Sequence, residues 1–243
     1  MTTKRKSINT AVAPIHRKPA FTSEMVTQGL LWETLTVTDR HDNWYFVSQQ
    51  SGYKGWIHQS FLCDRTKTDR EGHLFCTDRL LPVYSAPIST SDLIDFLSIG
   101  TVIPRSVLLE RSAPFLQFEY PDGRMGWVKE AHFNHGRQTR KSLVKMALSF
   151  LGTPYIWGGV SGYGFDCSGF VQMVFRCKGI EIPRDSANQA IHFPKVSNQD
   201  VRQGDLIFFR ENKKISHVGI CLPMDQFIHC SGSVRITSVN PED

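Results

Sequence analysis

Several things are scarce in this sequence, and each scarcity excludes something. Charges interrupt every apolar run in its 243 residues, so none approaches the roughly 18 to 20 consecutive apolar residues of a membrane span. Net charge is also small: 28 Lys and Arg against 23 Asp and Glu leave +5 with nine neutral histidines. That is far from the balance of a nucleic-acid-binding protein, and no nucleic-acid partner is expected. No C-x-x-C pair occurs among Cys63, Cys76, Cys167, Cys177, Cys221 and Cys230, and free thiols are the simpler reading. Cys221, His229 and Cys230 match no common zinc-ligand spacing, so no metal is assigned. After Lys4, Arg5 and Lys6 comes Ser7 to Pro14, too short and polar for the apolar core of a secretory signal. The expectation is therefore a cytoplasmic protein. At 40% hydrophobic and 21% charged residues, with mean hydropathy −0.26, disordered and fibrous classes fall away. The length allows two or three small units.

What is present begins with an internal repeat. Gly29, Gly52, Gly55 and Trp56 recur as Gly100, Gly123, Gly126 and Trp127, each 71 positions on (127 − 56), and Trp44 meets Phe115 at that offset. Runs rich in β-branched and aromatic residues, Glu33 to Val37, Trp44 to Ser48 and Phe115 to Tyr120, predict short strands. The glycine before each Trp predicts a tight turn or bulge, after which Trp56-Ile57 and Trp127-Val128 lead a strand into the core. The endings Gly52-Tyr53-Lys54-Gly55-Trp56-Ile57 and Gly123-Arg124-Met125-Gly126-Trp127-Val128 resemble those of bacterial SH3-like domains, implying two small all-β barrels at 1–68 and 69–137.

From about residue 138 the periodicity changes. Leu143, Met146, Ala147, Phe150 and Leu151 fall at helical spacing with Gly152 as a stop. A second helix is predicted from near Cys167 through Phe170, Val171, Val174, Phe175 and Cys177, closed by Gly179. Asp205 to Phe209, His217 to Leu222, Gln226 to His229 and Val234 to Val239 read as strands, with Pro223, Met224 and Asp225 as a hairpin turn. Helices followed by an antiparallel sheet make this third unit, 138–243, α+β.

The chemistry concentrates there. Cys167 lies between a Gly-rich approach, Gly158 to Asp166, and a helix start, where unsatisfied N–H groups favour a thiolate and should lower the thiol pKa. Free N–H groups at the same end can hold an oxyanion. A nucleophilic Cys needs a base, and His217 opens an apolar strand. A hairpin folded at residue 223 sets His229 within a couple of residues of His217 on the adjacent strand, so that one imidazole can orient the other. The other five cysteines lack such surroundings and are assigned packing or solvent roles.

Five stretches then occur in a telling order: Pro154-Tyr155-Ile156-Trp157-Gly158-Gly159, Phe165-Asp166-Cys167-Ser168-Gly169-Phe170-Val171, Ile182 to Gln189, Gly204 to Phe209, and His217-Val218-Gly219-Ile220. The series resembles the NlpC-type cell-wall cysteine peptidases of papain-like fold. With two SH3-like units ahead of it, the architecture is similar to that of the γ-D-glutamyl-L-diamino acid endopeptidases. The resemblance implies Cys167 as nucleophile, His217 as general base, His229 as the residue that orients it, and the Tyr155 hydroxyl as an oxyanion donor. Trp157 is implied as a wall of the cleft, with core packing the alternative. Asp166 and Ser168, helped by Asp185 and Ser186, are implied to hold a substrate ammonium, although Asp185 or Ser186 could instead cap a short helix. Glu24 and Tyr53 are implied to complete that pocket from the first SH3-like unit, so that only peptides with a free amino terminus fit, with an exposed barrel Glu and a barrel-face Tyr the alternative.

The expected function is hydrolysis of the bond between γ-D-Glu and a diamino acid, meso-diaminopimelate or Lys, in peptidoglycan stem peptides beginning with L-Ala. No cofactor is called for. An amidase or acyltransferase on the same core, or an inert wall-peptide-binding protein, are the alternatives.

Overall fold

In the computed structural model, residues 4–65, 73–133 and 139–239 are described, and the chain divides into two compact units, Met1–Asn134 and His135–Asp243. The boundaries expected at 68/69 and 137/138 lie outside the described residues.

The first unit repeats one antiparallel strand order. Met25–Leu30, Val12–His16, Lys54–His58, Trp44–Ser48 and Thr34–His41 lie side by side in the first copy. Leu93–Ser98, Leu80–Tyr84, Met125–Lys129, Phe115–Glu119 and Leu108–Ser112 do so in the second. The 71-residue offset carries Trp44–Ser48 onto Phe115–Glu119, and Lys54–His58 onto Met125–Lys129, without a shift. Gly52 and Gly123, at the turn before the latter strands, share left-handed φ values of +83° and +90°, which no side chain adopts readily.

Period-two alternation gives each sheet a buried apolar face: Ile15, Leu35, Val47 and Ile57 in the first, Leu81, Val83, Phe118 and Val128 in the second. Trp127 is buried, but Trp56 is only half-buried and tilts against Phe46, leaving Ile57 to enter the core. Neighbouring strand residues point to opposite faces, so in both copies the Trp lies on the face opposite Ile57 or Val128. Leu31 and Trp32 pack into the second copy's core. Trp32 Nε1–H donates to the Glu119 carbonyl at 3.1 Å, and Arg65 donates to both Glu119 carboxylate oxygens at 2.6 Å each. This shared core joins the two sheets into one unit.

In the second unit, helix α1 (Arg140–Leu148) starts at a capping box between Thr139 and Ser142. It stops short of the expected Gly152, because Phe150 and Leu151 N–H groups turn to the Ala147 and Leu148 carbonyls and tighten the last turn. Helix α2 (Cys167–Arg176) begins at the expected residue, and Gly179 follows it with φ +69°. Helix α3 (Ser186–His192) is short. Four antiparallel strands follow in chain order: Leu206–Glu211, Lys214–Cys221, Gln226–Ser231 and Ser233–Ser238. Phe150, Phe165 and Phe170, all buried with ring centroids 5.5–6.4 Å apart, pack with Val171, Val174, Val218 and Ile228 to seat α2 on the sheet. No helix among the described residues is long and apolar enough to cross a membrane.

Candidate active site

The start of α2 is built by Asp166, its N-cap, whose carboxylate accepts the Gly169 N–H at 2.7 Å. The Gly158 N–H and the Ser168 hydroxyl also donate to it, at 3.0 and 3.3 Å. Arg184 closes on both carboxylate oxygens with two guanidinium nitrogens, and the two side chains are 12% and 4% exposed. Five donors thus fill the carboxylate's acceptor sites. An incoming ammonium, the role implied for Asp166, has to share or displace one of them. Gly169 has no alternative, since a Cβ there would stand 2.1 Å from the Gly159 carbonyl oxygen. The motif therefore packs the Gly-rich approach directly against the first turn of α2.

Cys167, the first residue of α2, is half-buried. The main-chain N–H groups of Val218 and Ser168 lie near enough to its sulfur to favour the thiolate, which sets the thiol beside the strand residue that follows His217. The helix start was expected to lower the thiol pKa, and here the opposite holds. Burial pushes it above the ordinary value and the Asp166 carboxylate adds to this, against the two N–H groups and Arg184. A neutral thiol is thus the resting form.

The two histidines meet as the hairpin argument required. Gly219 pairs directly with His229, placing His217 two residues along on the same face. The turn is Pro223 to Asp225, with Met224 and Asp225 at φ +58° and +53°. Gly219 makes room: a Cβ there would meet Phe227 Cδ2 at 2.8 Å and His229 Cβ at 3.2 Å. His217 Nε2 and His229 Nδ1 are hydrogen-bonded at 2.7 Å, and His229 Nε2 and Thr237 Oγ1 at 2.9 Å. Burial, then Arg235, lowers the His217 pKa. Burial, His217 and Arg235, in that order, lower that of His229 to about 4. Both rings are neutral near pH 7. One consistent set of tautomers has His217 Nε2–H donating to His229 Nδ1 and His229 Nε2–H donating to Thr237, leaving a lone pair on His217 Nδ1.

Tyr155 is half-buried, and burial first, then Cys167, pushes its phenol up to about 12 against Arg184. It remains a donor over the working range. Trp157 is 62% exposed, which excludes core packing. Ser168 is buried, and its carbonyl and that of Pro183 both accept from Gln189 Nε2, at 3.0 and 2.8 Å. Asp185 is the exposed N-cap of α3 and makes no side-chain capping bond; Ser186 opens that helix, half-buried. Glu24 and Tyr53 belong to the first unit. There Glu24 pairs with Arg17, and Tyr53 stands in the turn before Lys54–His58.

Arg184, Gln189, Thr237 and Arg235 went unassigned on sequence alone. Arg184 and Gln189 lay inside a quoted motif without a role. The tight turn at Gly232, φ +72°, carried the signal for the other two, because folding there sets Arg235 opposite His229 and Thr237 two residues on along the same face. Among the described residues no group of three or more His, Cys, Asp or Glu is arranged to hold a metal ion.

Comparison with known proteins agrees with this geometry. Residues 152–242 match the model of the NlpC/P60 family, and residues 15–62 that of the bacterial dipeptidyl-peptidase Sh3 domain. The chain is 31% identical over 217 positions to a γ-D-glutamyl-L-lysine dipeptidyl-peptidase of Bacillus subtilis (strain 168), covering 84% of this chain and 71% of that protein. A protein of the same name from Bacillus cereus (strain ATCC 10987 / NRS 248) is 28% identical over 246 positions, covering 90% and 71%. The crystal structure of an NlpC/P60 family protein from Bacillus cereus ATCC 10987 shares the fold, with TM-score 0.86 at 24% identity over 97% of this chain and 94% of that one. With its helix-borne Cys167 set beside the strand of His217, the chain belongs to the NlpC/P60 family.

Proposed function

We propose that the protein is a cysteine peptidase that hydrolyses the bond between γ-D-Glu and the following diamino acid in peptidoglycan stem peptides with a free amino-terminal L-Ala. The observation that carries this reading is the packing of α2, which begins at Cys167, on the strand of His217, which is itself hydrogen-bonded to His229. The names of the relatives support the substrate class.

Because the thiol and both imidazoles rest neutral, His217 Nδ1 takes the thiol proton as the sulfur attacks the γ-carbonyl, rather than holding a preformed ion pair. The Tyr155 hydroxyl and N–H groups at the start of α2 stabilise the oxyanion. His217 then protonates the leaving amine of the diamino acid and activates the water that cleaves the thioester. His229 keeps the imidazole oriented and spreads the charge it acquires.

We further assign the two repeated sheets of the first unit to two SH3-like domains, a reading supported by the order of the five strands they share and the register of the 71-residue repeat. Ammonium recognition is assigned to Asp166, Ser168, Asp185 and Ser186, and Trp157 to a wall of the cleft.

Mass spectrometry of L-Ala-γ-D-Glu-L-Lys and its meso-diaminopimelate counterpart, each beside its amino-acetylated form, tests the proposal. Release of the diamino acid from the free peptides alone is expected. Cleavage of the acetylated peptides would remove the ammonium pocket but leave the peptidase. No cleavage of any would overturn the peptidase reading.

A further inference from the structure

The catalytic sheet face carries one charged group that the reaction as written does not use. Arg235 stands on the edge strand Ser233–Ser238 directly opposite His229. Directly paired residues share a face with Cβ atoms about 4.5–5.5 Å apart, so Arg235 lies on the face of His217, His229 and Thr237. It is exposed. Among the described residues no acidic group pairs with it, and its place opposite His229 sets it apart from the other arginines that lack a carboxylate partner. Its positive charge reaches both imidazoles, disfavouring their protonation. A guanidinium held open beside a general base costs basicity at that base, and it needs a counter-ion once water is excluded by substrate.

We infer that Arg235 forms a carboxylate-binding subsite for the leaving residue, so that the enzyme selects stem peptides whose diamino acid ends the chain. The inference rests on the proposed peptidase reaction, and the chemistry of that reaction fixes which carboxylate is meant. His217 protonates the leaving nitrogen, and a single carbon separates that nitrogen from the diamino acid's α-carboxylate. That group therefore arrives beside the histidines. The α-carboxylate of D-Glu, in contrast, is separated from the attacked carbonyl by three carbons on the acyl side. When the stem continues past the diamino acid, the carboxylate becomes a neutral amide and the guanidinium loses its charged, bidentate partner.

The test uses the full chain and three peptides: L-Ala-γ-D-Glu-L-Lys, the same peptide with a carboxy-terminal carboxamide, and the same peptide with D-isoglutamine in place of D-Glu. kcat/KM is measured for wild type, Arg235→Met and Arg235→Lys. Wild type should prefer the free carboxylate over the carboxamide by about ten- to a hundredfold, the range of a charge-assisted hydrogen bond. Arg235→Met should bring the ratio near one, and Arg235→Lys should restore part of it. Any change in His217 basicity on removing the cation affects all peptides alike and cancels in the ratio. A wild-type ratio within twofold, or one that survives Arg235→Met, would overturn the subsite while leaving the peptidase standing. A D-Glu preference lost in Arg235→Met would move the guanidinium to the other carboxylate and overturn it equally. If wild type cleaves none of the three, the peptidase reading fails and the subsite falls with it.

Discussion

Two helix starts in the second unit carry nearly the same two residues, Asp166-Cys167 at α2 and Asp185-Ser186 at α3, and they have opposite fates. At α2 the N-cap carboxylate is buried, accepts two main-chain N–H groups and is gripped by Arg184. At α3 the N-cap carboxylate is exposed and makes no capping bond. A helix start alone is therefore not a site. What distinguishes α2 is that its first turn is pressed between the glycine loop and the strand of His217, which sets Cys167 beside that strand. The same pressing desolvates the thiol and holds its pKa up, overriding the helix-end effect.

Substitutions at matched positions sharpen this contrast. The largest effect is expected from Cys167→Ala, which should lower kcat/KM by about 10⁴-fold or more with little change in Tm. Ser186→Ala, at the corresponding position of α3, should change KM by less than about tenfold. Equal losses in the two variants would erase the distinction.

Next come the caps. Asp166→Ala takes the carboxylate away from the buried Arg184 cation and removes three further contacts, so urea denaturation should show a loss of about 3–5 kcal/mol. Asp185→Ala should stay within about 0.5 kcal/mol. A small loss at Asp166 would mean that solvent reaches the pair.

Thiol alkylation separates the two origins of reactivity. Because burial holds the Cys167 thiol above its ordinary pKa, the rate with iodoacetamide should climb between pH 7 and 9. A rate already at its plateau near pH 6 would reveal a thiolate–imidazolium pair and overturn the neutral resting state.

The smallest effect is on stability against pH. His229 drops from about 6.5 to about 4 on folding, and His217 is also lowered. Below pH 6.5 the unfolded chain binds protons that the folded chain refuses. Stability held by the neutral rings is present above that pH and is lost as pH falls toward about 4. His229→Asn should flatten this slope. An unchanged slope would mean that the ring is better hydrated than its burial implies.

Much of this was legible before any coordinates. The Cys167 helix start rested on a Gly-rich approach followed by apolar residues at helical spacing, and the His217–His229 pairing on one turn at Pro223 to Asp225. Both are signals read within a dozen residues. The end of α1 was misplaced because the same apolar spacing continues through Phe150 and Leu151 after the backbone has tightened out of the helix. The turn expected at the glycine before each Trp falls three residues earlier, at Gly52 and Gly123, because Gly55 and Gly126 sit inside regular strand pairs.

By itself, the sequence determined the repeat, the α+β order of the second unit and the placing of Cys167 at a helix start and of His217 beside His229, because periodicity, turn chemistry and strand register act over short stretches of chain. Only the tertiary structure decided that Arg184 closes on Asp166, that Thr237 supports His229, that Arg235 stands open opposite it, and that the Cys167 thiol is desolvated. Those outcomes depend on which charges and surfaces meet across separate elements and on how much water is left between them, and no local pattern of residue types encodes that.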